Sequence, residues 1–189
     1  MSEIVPAPIQ AAFDRERITS RDAARLAREP AEHRALTVRM YGRLAQLQHQ
    51  VIAQEKVAVA CQRGCVYCCS QRVEMRPHEV FVLADFIQAR FDSRQRVDMQ
   101  ARLDENLARI ADITREQHVQ AGIACALLVD GSCSVYEARP AACRKYYSVS
   151  VDTCRSAFEN PAAPLIGPLE HDNLRFAGNA VALGFAKGI

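Results

Sequence analysis

The sequence predicts a mainly α protein, a helical bundle that carries an irregular cysteine-rich lobe. Two observations support this fold class: apolar residues recur at helical spacing over most of the chain, and all eight cysteines fall within residues 61–154. A chain of 189 residues can bury a core without covalent staples. We expect residues 1–60 to form an N-terminal helical extension, residues 61–154 the cysteine-cluster domain, and residues 155–189 a C-terminal loop and helix, together one structural unit.

The N-terminal half of the chain predicts two helices before the first cysteine. A short helix is expected over residues 20–26, with Ser20 as its N-cap, and it ends before Pro30. A long helix is expected over residues 32–58. There, apolar residues at steps of three and four form a single stripe, made of Leu36, Met40, Leu44, Leu47 and Val51.

Three further helices are predicted after the first cysteines. Pro77 suits the first turn of a helix that continues to residue 91, and a long helix over residues 95–119 carries alternating acids and arginines on its outer face. Residues 122–168 are loop-rich, since turn pairs such as Asp130-Gly131 and Gly167-Pro168 punctuate them. A last helix is expected over residues 172–186, in which Gly178 and Gly184 each cost about 1 kcal/mol relative to Ala.

Charge and composition narrow the classes of function. The net charge is +2 and no basic block forms, so we expect no nucleic-acid partner. No apolar run has the length of a signal peptide or a membrane span, which predicts a cytoplasmic protein without a membrane partner. In that reducing compartment eight cysteines favour metal ligation or redox chemistry over disulfides. A protein partner is not excluded, and the oligomeric state stays open.

The cysteines form a proximal and a distal group. Four thiols fall within the nine residues CQRGCVYCC, and four more follow after the predicted helices. Thiolates in sets of four suit Zn(II) or an iron-sulfur cluster, so the lobe is predicted to bind metal. The candidate ligands are Cys61, Cys65, Cys68, Cys69, Cys125, Cys133, Cys143 and Cys154. Of these, Cys125 lies in an apolar run and fits a small buried hydrophobe equally well.

Two further features of the cysteine segments bear on the site. Neighbouring side chains usually project apart, so the pair Cys68-Cys69 is expected to divide between two centres or two sides of a cluster. None of the five histidines falls inside the cysteine pattern, which predicts an all-thiolate site.

Charged and aromatic residues between the cysteines are expected to surround the ligands. Arg63 and Arg144 would offset the negative charge of bound thiolates and hydrogen-bond to sulfur. Arg144, with Lys145 beside it, also fits a solvated charge on a short helix. Arg139, followed by proline, would stiffen the segment that holds Cys143, and Tyr136 would shield the site with its ring.

Several fixed spacings in the cysteine segments resemble a known family. These are CQRGCVYCC, the stretch CALLVDGSCSVYEARPAACRKYY and the trailing Cys154. Together they resemble the YkgJ-type cysteine-cluster family, a zinc- or iron-chelating domain, over residues 61–154. The resemblance implies metal chelation by these cysteines. One branch resembles flagellin lysine N-methylases, which are associated with an iron-sulfur cluster and S-adenosylmethionine. The chain departs from many members at Val66-Tyr67.

Three classes of function compete. The first is a metal-binding protein whose zinc or iron-sulfur centre is structural or redox-active. The second is an iron-sulfur enzyme that uses S-adenosylmethionine, because Cys61, Cys65 and Cys68 have the spacing of the radical S-adenosylmethionine triad; a helix rather than a strand precedes Cys61, which counts against it. The third is a structural zinc module for protein interaction. No nucleophile-base pair or phosphate loop decides for or against catalysis.

Overall fold

The protein is mainly α-helical, as predicted. We describe it in a computed structural model, over residues 5–161 and 169–189. The two long N-terminal helices are α1 (Ala7–Leu26) and α2 (Pro30–Glu55), and a 3-10 turn, Tyr67–Ser70, follows them. Helices α3 (Pro77–Arg90), α4 (Ser93–Ile110) and α5 (Arg115–Gln120) come next. The predicted Gly167-Pro168 turn lies outside the described residues.

The loop-rich segment holds a small hairpin and short helices. Strands β1 (Leu128–Val129) and β2 (Ser132–Cys133) pair in antiparallel fashion, and the turn at Asp130-Gly131 has positive φ at both residues, as a tight hairpin turn requires. A 3-10 turn, Tyr136–Ala138, leads to α6 (Ala141–Arg144) and α7 (Val151–Glu159). Helix α8 (Asp172–Gly188) ends the chain.

Helices α1, α2 and α8 form the bundle. Helix α8 packs along α1 and against α2, and α2 also contacts α3. The predicted stripe on α2 faces this core, since Leu36, Met40, Leu44 and Val51 are all buried. The main apolar cluster consists of Leu36, Met40, Tyr41, Leu44, Ala141, Val181 and Phe185. Because Ala141 belongs to α6, the cysteine-rich lobe shares the core of the bundle.

Two predicted helix boundaries are wrong. Helix α1 begins at Ala7 rather than at residue 20, and its buried face includes two polar residues that hide the helical pattern, Glu16 and Ser20. The helix predicted over residues 95–119 is broken after Ile110. Thr114 caps the start of α5, since its hydroxyl accepts a hydrogen bond from the Gln117 amide at 3.2 Å.

The buried polar face of α1 is paired with α2. Arg43 donates two hydrogen bonds of 2.6 Å to the Glu16 carboxylate, and Ser20 donates a third at 3.0 Å. The Glu16 side chain is 5% exposed, so this ion pair is shielded from water. The ion pair with Arg43 compensates the negative charge of Glu16, which would otherwise be costly to bury in the core.

The glycines of α8 permit close packing. A Cβ atom at Gly178 would lie 2.5 Å from the Lys145 Cβ, and one at Gly184 would lie 2.7 Å from the Phe13 carbonyl oxygen. Both distances are too short for a side chain. The glycines that weaken the isolated helix therefore let α8 approach α1 and the cysteine-rich lobe.

No helix in the described ranges is long and apolar enough to cross a membrane.

Candidate metal centre

The proximal cysteines lie on the loop after α2 and on the 3-10 turn that follows it. Cys61 is held beside residues 146–148, because the Ser148 amide donates a hydrogen bond to the Cys61 sulfur at 3.1 Å and the Ala60 amide donates to the Ser148 carbonyl oxygen at 2.9 Å. Ser148 itself is fully buried. An amide that points at sulfur stabilises the thiolate form, which is the form that binds metal.

Cys68 and Cys69 influence each other's ionisation. The interaction between the two thiols lowers the pKa of Cys68 to about 7 and raises the pKa of Cys69. The expectation that this pair divides between two centres or two sides of a cluster stays a prediction.

The distal cysteines are carried by four different elements. Cys125 lies on the turn before β1, Cys133 ends β2, Cys143 lies in α6, and Cys154 lies in α7. The Cys125 amide donates a hydrogen bond of 2.7 Å to the Cys69 carbonyl oxygen. This bond joins the proximal and distal groups directly.

Cys125 is the most exposed of the eight cysteines. Packed atoms around its thiol still raise its pKa, and the backbone of Leu127 and of Leu128 partly opposes that rise. The Leu128 amide donates a hydrogen bond of 2.9 Å to the Cys125 carbonyl oxygen, which forms the turn before β1. That Cys125 is a ligand stays a prediction.

The thiols fall into two electrostatic neighbourhoods. Burial is the main cause of the raised pKa of Cys61. The negative charges of nearby thiolates raise it further, and these thiolates are Cys154, Cys68 and Cys65. Burial raises the pKa of Cys143 to about 12, and the charges of Cys68, Cys125 and Cys133 add to the rise. One set comprises Cys61, Cys65 and Cys154, the other comprises Cys69, Cys125, Cys133 and Cys143, and Cys68 neighbours both.

The donor chemistry of these sets fits zinc or iron. All eight cysteines are free thiols, and soft thiolate ligands select zinc and iron-sulfur clusters. As the side chains stand, no three Cys, His, Asp or Glu residues among the described positions converge closely enough to hold an ion. The division into two sets is therefore based on which thiols lie near enough to interact through their charges.

Two of the predicted arginines, Arg63 and Arg139, lie against the ring of Tyr136. The guanidinium carbon of Arg139 lies 3.7 Å from the centre of the Tyr136 ring, and that of Arg63 lies at 5.0 Å. Arg63 is exposed and pairs with Glu137 at 3.1 Å. Arg139 acts on the thiols, since its charge favours the thiolates of Cys68 and Cys143, although burial still leaves the pKa of Cys143 raised.

Arg144 braces the segment between Cys133 and Cys143. Its guanidinium donates to the carbonyl oxygen of Arg139 at 2.6 Å and to that of Glu137, and it lies 4.3 Å from the centre of the Tyr41 ring. Arg144 is thus half-buried and hydrogen-bonded rather than a solvated charge. The sequence pattern identified Arg144 as a candidate but did not indicate these partners.

Sequence reasoning missed Glu79, which lies at the junction of three helices. Its side chain is buried, accepts hydrogen bonds from the Tyr41 hydroxyl at 3.2 Å and the Ala141 amide at 2.6 Å, and also accepts one from the Arg76 amide at 3.1 Å. It therefore fixes α6, which carries Cys143, against α2 and α3. In the sequence, Glu79 is an acidic residue two positions after Pro77. That position indicates the start of a helix and gives no sign of the contacts with Tyr41 and Ala141.

Tyr67 holds α7 against the 3-10 turn. Its ring packs edge-on against Phe158, with 5.7 Å between ring centres, and its hydroxyl accepts a hydrogen bond from Arg155 at 3.2 Å. Since α7 carries Cys154, Tyr67 positions this distal cysteine beside the proximal group. The aromatic residue that precedes Cys68 thus has a packing partner in the lobe.

These features define a small helical protein with a cluster of eight thiols in two neighbouring sets. The family model CxxCxxCC, described as "Putative zinc- or iron-chelating domain", matches residues 60–162. That match covers more than half of the chain, and the chain belongs to this family. It confirms the resemblance drawn from the cysteine spacings. Searches of curated proteins and of solved structures found no match.

Proposed function

We propose that this protein chelates zinc or iron through two neighbouring sets of thiolates that meet at Cys68. The observation that carries the proposal is the electrostatic grouping, in which Cys61 interacts with Cys65, Cys68 and Cys154, while Cys143 interacts with Cys68, Cys125 and Cys133. Closed thiolate sites use four ligands, and Cys68 completes the first set to four. Cys69, Cys125, Cys133 and Cys143 make the second.

The surrounding backbone supports this assignment. The Ser148 amide points at the sulfur of Cys61, and the charge of Arg139 favours thiolates at Cys68 and Cys143. A bound zinc ion or iron-sulfur centre would hold α6, α7 and the hairpin together, and iron would add one-electron chemistry. A reducing, cytoplasmic location is part of the proposal, because all eight thiols are then available as ligands.

The second candidate is an iron-sulfur enzyme that uses S-adenosylmethionine, related to flagellin lysine N-methylase. One observation favours it: a cavity of about 640 Å³ reaches Cys68 and Cys143, so a small molecule can approach these thiols. Against the radical version stands the fold, since the strands within the described residues are two residues long and belong to one hairpin. A structural zinc module that serves only protein interaction would instead have closed sites.

Metal and sulfide analysis tests the proposal. Protein purified without oxygen and without added zinc should contain about one or two equivalents of zinc, or iron with acid-labile sulfide. Elemental analysis measures the metals, and a visible absorption spectrum separates iron-sulfur from colourless zinc. Protein that carries neither metal and binds neither on reconstitution in the reduced state would overturn the proposal.

A further inference from the structure

A cavity of about 640 Å³ opens beside the two thiolate sets. The residues that line it include Cys68, Cys143, Met40 and Ala141, together with the first turn of α3. Sites for small molecules have volumes of about 300 to 1,000 Å³. The cavity is therefore large enough for a small molecule that lies against both thiols.

The lining of this cavity carries more positive than negative charge. Four cationic side chains face two carboxylates, and the charged residues are Arg72, Arg76, Arg115, Lys145, Glu74 and Glu79. Both carboxylates are engaged: Glu74 lies 3.8 Å from Arg72, and buried Glu79 accepts three hydrogen bonds. Arg76 and Arg115 form no ion pair with any residue in the described ranges.

Arg76, Arg115 and Lys145 all line this one cavity, although they come from three different segments of the chain. Lys145 is held in place, since its ammonium donates a hydrogen bond to Asn179 at 2.7 Å. Like charges that are held near each other favour the binding of an anion between them.

Arg139, whose charge acts on the thiols of Cys68 and Cys143, lies over Tyr136 and does not line the cavity. Arg76 and Arg115 are exposed and come from the starts of two different helices, α3 and α5. Both side chains line the same cavity.

We propose that this cavity binds a small anionic molecule with carboxylate or phosphate groups. Arg76, Arg115 and Lys145 hold the anion, and the cavity places it beside Cys68 and Cys143. Binding of the anion does not require a metal. That the anion lies next to a metal centre rests on the function proposed above, and it would give that centre a ligand to act on or to sense.

Calorimetric titration of the full chain with citrate and with inorganic pyrophosphate tests this inference. The wild type should bind at least one probe with a stoichiometry of one, and preference for one probe assigns carboxylate or phosphate. The variant Arg76→Gln/Arg115→Gln should bind about tenfold more weakly, because a hydrogen bond to a charged group contributes on that scale. The control Arg17→Gln/Arg94→Gln removes the same charge from exposed positions outside the cavity and should bind like the wild type.

Two outcomes would overturn the inference: no binding of either probe by the wild type, or equal weakening in the cavity variant and the control. The second would show that net charge alone attracts the anion. Metal content is measured on the same samples and should match in all variants. Protein that binds the probe but takes up neither zinc nor iron on reconstitution contradicts the chelation proposal alone, and metal-loaded protein that binds no probe contradicts the cavity proposal alone.

Discussion

The Glu79 carboxylate accepts a hydrogen bond from the Ala141 amide at 2.6 Å and thereby joins the first turn of α3 to the first residue of α6. The same carboxylate accepts from the Tyr41 hydroxyl on α2. One buried side chain thus ties the helix that carries Cys143 to both α2 and α3.

Replacing this side chain should destabilise the protein. Glu79→Ala leaves three donors without their acceptor, so we expect the free energy of unfolding to fall by about 2 to 4 kcal/mol, as measured by urea denaturation. Glu74→Ala is the control, since that side chain is 75% exposed and should change stability by less than about 0.5 kcal/mol. Equal effects of the two variants would remove the assigned role of Glu79.

Single cysteine variants should separate the two thiolate sets. Cys154→Ser should lose the metal of the first set and keep the second, whereas Cys143→Ser should do the reverse, because each removes one ligand of a four-thiolate site. Cys68→Ser should perturb both sets. Metal content per chain, measured by elemental analysis, checks this. If Cys143→Ser and Cys154→Ser lose the same metal completely, the eight thiols hold one joint centre instead of two.

Two glycine substitutions should have opposite effects. Gly178→Ala should lower the free energy of unfolding by about 1 to 3 kcal/mol, because the new Cβ would lie 2.5 Å from the Lys145 Cβ. Gly42→Ala should raise it by about 0.5 to 1 kcal/mol, since no atom lies within 4 Å of a Cβ there and alanine favours the helix. Thermal or urea unfolding measures both. Stabilisation by Gly178→Ala would show that α8 does not approach Lys145 so closely.

Acidification should weaken the native state through His78. Burial lowers the pKa of His78 in the folded protein relative to the unfolded chain. The unfolded state therefore binds a proton on His78 more tightly than the folded state does. The stability present above the pKa of the unfolded chain is lost as the pH falls through the folded pKa. The wild type should therefore lose more stability than His78→Gln between about pH 7.5 and about pH 5. Parallel pH profiles of the two proteins in urea denaturation would contradict this.

The elements that the sequence predicted well are those set by local pattern. The stripe from Leu36 to Val51 has helical spacing along one face, and those side chains enter the core. Asp130-Gly131 has the turn chemistry of a hairpin and forms one. In both cases a few neighbouring residues specify the conformation.

What the sequence did not reveal depends on partners distant in the chain. The beginning of α1 was missed because Glu16 is buried only by virtue of Arg43 on α2. The role of Glu79 depends on Tyr41, which lies 38 residues earlier in the chain, and on Ala141, which lies 62 residues later. Such pairings are properties of the tertiary structure.

The hydrogen bond from the Cys125 amide to the Cys69 carbonyl oxygen has a consequence for how the domain can be remodelled. It closes a long excursion of the chain that contains α4, of which only Met99 is buried. The entropy of closing a loop grows slowly with its length, so lengthening this excursion costs little. The turn between α4 and α5, residues 111–113, is therefore the place where an insertion or a fused reporter would be tolerated, since α4 itself holds the segment around Cys125 through Arg102 and Asn106.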